Sequence, residues 1–206
     1  NTGEGMTTIL KLGPVDHGRV ITPDEARIAH WQEGYRYEII DGKIYVSSFP
    51  ELSHDFILQW IFKRVNNYSR QNPHIFNYVT TKGKVIVPDR PELTEPEPDL
   101  IAFHGFPLDL PIAEARWEDL TPVLVIEILS EDDSEKDLER NVELYQEIAP
   151  IREYWIFDPR TDADHPTLQV YRRRGRRWQK PIQVPFCALY TTRLLPAFSL
   201  RVDPHS

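Results

Sequence analysis

A single cysteine, Cys187, occurs among 206 residues, so the chain can build neither an internal disulfide framework nor a thiolate-ligated zinc centre. That scarcity is compatible with a reducing compartment, and cytoplasm is the expected location. Long apolar runs are missing as well: no stretch approaches the roughly 20 residues needed to cross a bilayer. The N-terminus has no basic segment leading into an apolar one, so the sequence reads as neither membrane-borne nor exported. Glycine is scarce beside proline, 9 against 18. The prolines gather between 88 and 98 and between 107 and 111, which predicts stiff, ordered connections rather than flexible linkers. Positive charge is also short. With 24 basic and 32 acidic residues the net charge is -8, which denies the protein a global pull toward nucleic acid and leaves that task to any local patch. Internal repeats and low-complexity segments are absent.

What the chain does contain is enough apolar material, 40%, for one core, and its length predicts a single domain over 21–206 behind a tail of 1–20. The five residues before Met6 read as a cloning remnant. Thr22-Pro23-Asp24-Glu25 has a capping threonine, a proline at the first helical position and first-turn acids, predicting a helix that runs to about Gln32 and ends at Gly34. Asp41-Gly42 between Tyr35–Ile40 and Lys43–Ser47 is a strong hairpin signal. Ser53 is read as the cap of an amphipathic helix over 54–69, with Phe56, Ile57, Trp60, Ile61 and Val65 on one stripe lying on a sheet. Strands are predicted at 76–81, 84–87, 99–103 and 123–129. After the acids Glu131, Asp132 and Asp133, a helix spaced by Leu138, Val142, Leu144, Tyr145 and Ile148 closes at Pro150, and 153–158 returns as a strand. Residues 123–158 therefore form a strand-helix-strand unit with parallel strands and a right-handed crossover. A hairpin follows over 168–172 and 177–183 around Gly175, and 197–202 adds a last strand. The fold class is α/β with a mixed sheet.

One side chain is out of place in this pattern. Glu127 sits in Val123-Leu124-Val125-Ile126-Glu127-Ile128-Leu129, which otherwise reads as a fully buried strand. Burying a lone carboxylate costs several kcal/mol or more unless a cation, hydrogen bonds or protonation compensates it. Glu97-Pro98-Asp99, opening the run Leu100-Ile101-Ala102-Phe103, offers further carboxylates at a strand end. Inward acids on two strands suit magnesium or manganese, hard ions that take oxygen ligands and keep waters. Such an ion could activate water for attack on a phosphodiester. The competing reading of Asp99 and Glu127 is a strand-end acid and a buried acid paired with an arginine or lysine.

Taken in order, Pro98-Asp99, Val125-Ile126-Glu127-Ile128-Leu129-Ser130, Asp137 with Tyr145, and Arg152-Glu153-Tyr154-Trp155 resemble the Uma-type family of restriction endonucleases in the PD-(D/E)xK nuclease superfamily. The resemblance extends through Tyr37-Glu38-Ile39-Ile40-Asp41-Gly42 and His54, over roughly residues 20–185. It implies a restriction-endonuclease-like αβββαβ core with a mixed sheet flanked by helices, a divalent metal at Asp99 and Glu127, Glu38 as the third acid, DNA as the substrate and association into homodimers. The chain departs from the superfamily at one place. The lysine expected two residues after the second acid is Leu129. The position four residues after Asp137, where the Uma-type family carries its lysine, is Asn141. Asparagine can orient a water but brings no positive charge. Asp137, Asn141 and Tyr145 stand at i, i+4 and i+8 and share a helix face, with Lys136 and Arg140 beside it as partial substitutes.

The resemblance thus implies a metal-dependent endonuclease with Glu38, Asp99, Glu127, Asn141 and Lys136 at its centre. The alternative it leaves open is a nuclease-fold protein that no longer cleaves and binds nucleic acid or a protein partner. Two further features are weaker. His54 follows a serine at a helix start, where surface histidines are common. Arg173, Arg174, Arg176 and Arg177 with Trp178 could grip phosphates and stack on a base, although a solvated hairpin tip balancing nearby acids is the ordinary reading.

Overall fold

The computed structural model describes residues 9–49, 51–130 and 136–206. They fall into two compact units, one of 9–49 with 89–96 and one of 51–88, 97–130 and 136–206. Among the described residues no helix is long and apolar enough to cross a membrane.

In the first unit β1 (Lys11–Leu12) precedes α1 (Pro23–Ile28), β2 (His30–Trp31), β3 (Tyr35–Ile40) and β4 (Lys43–Ser48). The Thr22 hydroxyl accepts the Glu25 N–H while the Glu25 carboxylate accepts the Thr22 N–H, so the predicted helix start forms with a full capping box. The helix stops at Ile28, short of the expected Gln32. Ala29 turns extended, and His30 and Trp31 pair in parallel with Lys11 and Leu12. Backbone bonds to a partner strand outweigh one more helical turn, and they draw the segment before Ile21, expected to be a tail, into this unit. Leu12 is buried with Ile21, Tyr37, Ile39 and Ile44. The hairpin turn forms at Asp41 and Gly42, both with positive φ, the twist that suits a two-residue connection.

The second unit starts with α2 (Leu52–Gln71), followed by β5 (Tyr78–Thr80), β6 (Leu100–His104) and β7 (Thr121–Ile128). A five-residue π-helical stretch, Lys136–Arg140, leads into α3 (Asn141–Glu147), and then come β8 (Glu153–Asp158), β9 (Thr167–Arg174), β10 (Arg177–Trp178), β11 (Ile182–Val184), β12 (Leu189–Thr191) and β13 (Ser199–Arg201). In chain order α2, β5, β6, β7, α3 and β8 give the αβββαβ core. The sheet runs β10-β9-β8-β7-β6-β5, with β11 also on β9; β7 and β8 are parallel and the other neighbours antiparallel. One face of it, with Leu124, Ile126 and Ile128 of β7 and Trp155 and Phe157 of β8, packs on the stripe Ile57, Trp60, Ile61 and Val65 of α2, as the helical spacing predicts.

Several boundaries differ from the sequence expectation. Glu51, not Ser53, occupies the N-cap of α2, because the helix starts two residues earlier than expected, at Leu52. Residues 84–87, in the segment leading to the proline-rich connection, do not form the expected strand. Ser199–Arg201 pairs with β12 in a separate two-stranded sheet. The acids Glu131, Asp132 and Asp133 lie outside the described residues.

Candidate active site

β6 and β7 are antiparallel with Leu100 opposite Ile126, so one further step of that register sets Asp99 opposite Glu127. Their backbones do not continue the ladder by themselves. The Asp99 N–H donates to Glu127 Oε2 at 2.9 Å, and the Ile128 N–H donates to Asp99 Oδ2 at 2.8 Å. Each carboxylate thus takes a backbone donor from the opposite strand. Charge-assisted bonds of this kind contribute about 1.5–3 kcal/mol each, which offsets part of the burial cost that makes Glu127 anomalous in the sequence.

Glu127 is 1% exposed, and alternation along β7 turns it away from α2 and toward α3. There Glu127 Oε1 accepts from Asn141 Nδ2 at 3.2 Å and from the Tyr145 hydroxyl at 3.2 Å. Asn141 Nδ2 also donates to Asp137 Oδ1 at 2.9 Å, and Asn141 Oδ1 accepts from Arg140 Nε at 3.2 Å. The shared helix face of Asp137, Asn141 and Tyr145 therefore meets the acid strand, with the amide orientation fixed by bonds at both ends. Asp99 also receives His54 Nε2 at 3.0 Å on Oδ2; His54 is buried, and its Nδ1 has no hydrogen-bond partner among the described residues.

Lys136 Nζ stands 3.9 Å from Asp137 Oδ1, beside the acid cluster and bound to its edge. Leu129 is buried and its N–H bonds to the Phe157 carbonyl at 2.9 Å, so the usual lysine position continues the sheet as an apolar residue. Glu38 belongs to the first unit, where it is buried on β3 opposite Tyr45. Arg174, Arg176 and Arg177 are exposed. Arg173 instead reaches the carbonyls of Tyr145, Gln146 and Ile148 at the end of α3 and that of Ile151, and stacks on Trp178 at 4.5 Å.

Two contributors escaped sequence reasoning. Tyr145 is legible in the sequence only as a face-sharing neighbour, yet its hydroxyl is a direct donor to Glu127. Tyr154, which the sequence marks only as part of the Arg152-Glu153-Tyr154-Trp155 run, donates its hydroxyl to the Asp137 carbonyl at 2.9 Å. Burial, reinforced by Asp137, Glu127, Tyr145 and Asp99, pushes the Tyr154 hydroxyl well above its ordinary value, so it stays a donor. A buried aromatic in a strand carries no sequence signal for that role.

Among the described residues no three His, Cys, Asp or Glu side chains form a ready metal cage. The donor set still fits a magnesium-type ion, which is commonly held by one or two carboxylates, with waters and substrate phosphates filling the rest. Asp99 and Glu127 supply two such groups on adjacent strands.

Comparison with known proteins bears on the fold and the family. The crystal structure of a putative nuclease belonging to DUF820 from Anabaena variabilis superposes with a TM-score of 0.66 at 22% identity, covering 88% of this chain and 95% of that one. It is a likeness of fold. The comparison with curated proteins gives no match. The model of the Uma2 family, described as putative restriction endonuclease, matches residues 25–203, and on that match over most of its length the chain belongs to the Uma2 family.

Proposed function

We propose that the protein is a divalent-metal-dependent endonuclease that hydrolyses phosphodiester bonds in DNA. The observation that carries this reading is the pair Asp99 and Glu127, two buried carboxylates on adjacent strands, each fixed by a backbone N–H of the other strand. Asp99 and Glu127 would hold magnesium or manganese, which when bound supplies Lewis-acid stabilisation of the phosphate charge and an acidified water. Asn141 and Tyr145 fix the Glu127 carboxylate, and His54 fixes that of Asp99. Lys136, ion-paired with Asp137 at the edge of the cluster, would help orient the nucleophile. Incubation of the purified protein with supercoiled and linear DNA and either metal tests the reading; DNA left intact while a benchmark nuclease cuts under the same conditions counts against it.

A second reading, a nuclease fold that binds without cutting, is favoured by one observation: the lysine position is Asn141, wholly buried and committed to Glu127 and Asp137. The two readings separate in an Asn141→Lys variant. An ammonium placed between these carboxylates is electrostatically favoured, and if the missing cation limits the reaction, cleavage should rise about 10-fold or more, equivalent to about 1.4 kcal/mol of barrier. A variant that binds metal by calorimetry yet cuts no better than the parent would favour the binding role.

A further inference from the structure

At the end of the sheet where β8 begins and β9 ends lies a cleft of about 610 Å³. Five arginines line it, Arg152, Arg172, Arg173, Arg174 and Arg193, against one carboxylate, Glu153. In a protein of net charge -8 this is a marked local reversal of sign, and the carboxylate is already spent. Buried Glu153 accepts from Trp155 Nε1 at 2.7 Å, from the Tyr190 hydroxyl at 2.9 Å and from Thr192, and it pairs with Arg172 at 3.4 Å. The Arg172 guanidinium is held further by the Tyr190 oxygen and the Thr191 carbonyl. Arg173 is occupied by the carbonyls ending α3, and burial, with the Arg152 cation nearby, lowers its pKa from the usual guanidinium value. Arg152, Arg174 and Arg193 remain exposed and make no ion pair with any described residue. Like charges gathered without an acid to balance them repel, and a polyanion relieves that repulsion.

We infer that this arginine cleft is a binding groove for the phosphodiester backbone of nucleic acid, seated on Arg152, Arg174 and Arg193. The inference rests on the nucleic-acid reading proposed above and says where the backbone is held away from the acids. The Arg152 N–H bonds to the Val123 carbonyl, four residues before Glu127 on the same strand, a rise of about 13 Å. Successive phosphates of one strand advance about 3.4 Å along a duplex, so the cleft and the acid pair lie about four base steps apart, within reach of one bound segment. Guanidinium forks match phosphate oxygens. The cleft contacts the backbone, so it holds any sequence.

The test reads binding, not cleavage: anisotropy of a labelled 20-base-pair duplex with the full chain in EDTA, over a salt series, for the parent and for Arg152→Ala/Arg193→Ala. The double variant should bind about 10-fold or more weakly at moderate salt, with the slope of log K against log salt reduced by about 2, while its thermal melt stays that of the parent. Affinity and slope unchanged in the variant overturn the inference, as does a parent that binds no duplex. Inorganic tripolyphosphate and poly-glutamate serve as competitors: either one binding as tightly as the duplex, with the same dependence on the two arginines, would replace a nucleic-acid groove by a small-polyphosphate site or a generic anion patch. Because EDTA removes cleavage from the readout, a protein that never cuts DNA can still pass, and a cutter whose binding ignores these arginines fails.

Discussion

Glu127→Gln is expected to lower metal-dependent DNA cleavage by about 10³-fold, since loss of one carboxylate at the proposed metal forfeits several kcal/mol of charge stabilisation. It should also destabilise the fold, for a reason independent of catalysis. Both Glu127 oxygens accept: Oε2 from the Asp99 N–H, Oε1 from Asn141 and Tyr145. An amide presents one acceptor and one donor group, so either rotamer turns an NH2 toward a donor and leaves a buried group unpaired. That mismatch costs about 1–3 kcal/mol, and at about 2–4 °C per kcal/mol for a chain of this size the melt should fall by roughly 2–12 °C. Asp99→Asn is the informative companion. Its remaining oxygen can still take the Ile128 N–H on the Oδ2 side, so stability should drop less while cleavage falls comparably. Equal melting of Glu127→Gln and the parent would show that the two-sided acceptor role is misassigned; parental cleavage by either variant would remove the proposed metal site.

Arg173→Ala should be the most damaging single change outside the acid cluster. One guanidinium serves the carbonyls of Tyr145, Gln146, Ile148 and Ile151 and covers Trp178. The last carbonyls of a helix have no partner within it, and a positive group there also favours the dipole. Bonds from a charged donor are worth about 1.5–3 kcal/mol each, with unpaired buried acceptors adding to the loss, so a penalty of about 3 kcal/mol or more is expected, read as a shift in the urea midpoint at constant slope. Arg173→Lys should recover little, because one ammonium cannot span four carbonyls as a planar fork does. A variant as stable as the parent would mean that water replaces the guanidinium at no cost.

These two residues mark the limits of sequence reading here. Glu127 stood out because a charge inside an apolar run breaks a pattern that physics otherwise enforces, and Asp99 stood out because it opened the next run. Asp137, Asn141 and Tyr145 could be placed on one face from their spacing, even though the chain enters α3 through a π-helical stretch rather than a regular start. Arg173 offered no comparable cue. The four carbonyls at and beyond the end of α3 that it serves lie more than twenty residues away, and five arginines within six positions look alike in the sequence. Glu153 does carry a cue: like Asp99, it adjoins an apolar strand run, Tyr154-Trp155-Ile156-Phe157, and it is likewise buried. The short α1 and the non-strand course of residues 84–87 differ from expectation because local propensity does not register which distant segments a stretch of chain will meet.

The exchange of backbone donors between the two acid strands has a spectroscopic consequence. The amide protons of Asp99 and Ile128 each point at a carboxylate oxygen of the proposed metal pair. In a nitrogen-15 spectrum their resonances would respond when a cation polarises those oxygens, although neither amide touches the ion. They form a built-in pair of reporters, one for each acid, by which loading of the centre could be followed without any substrate.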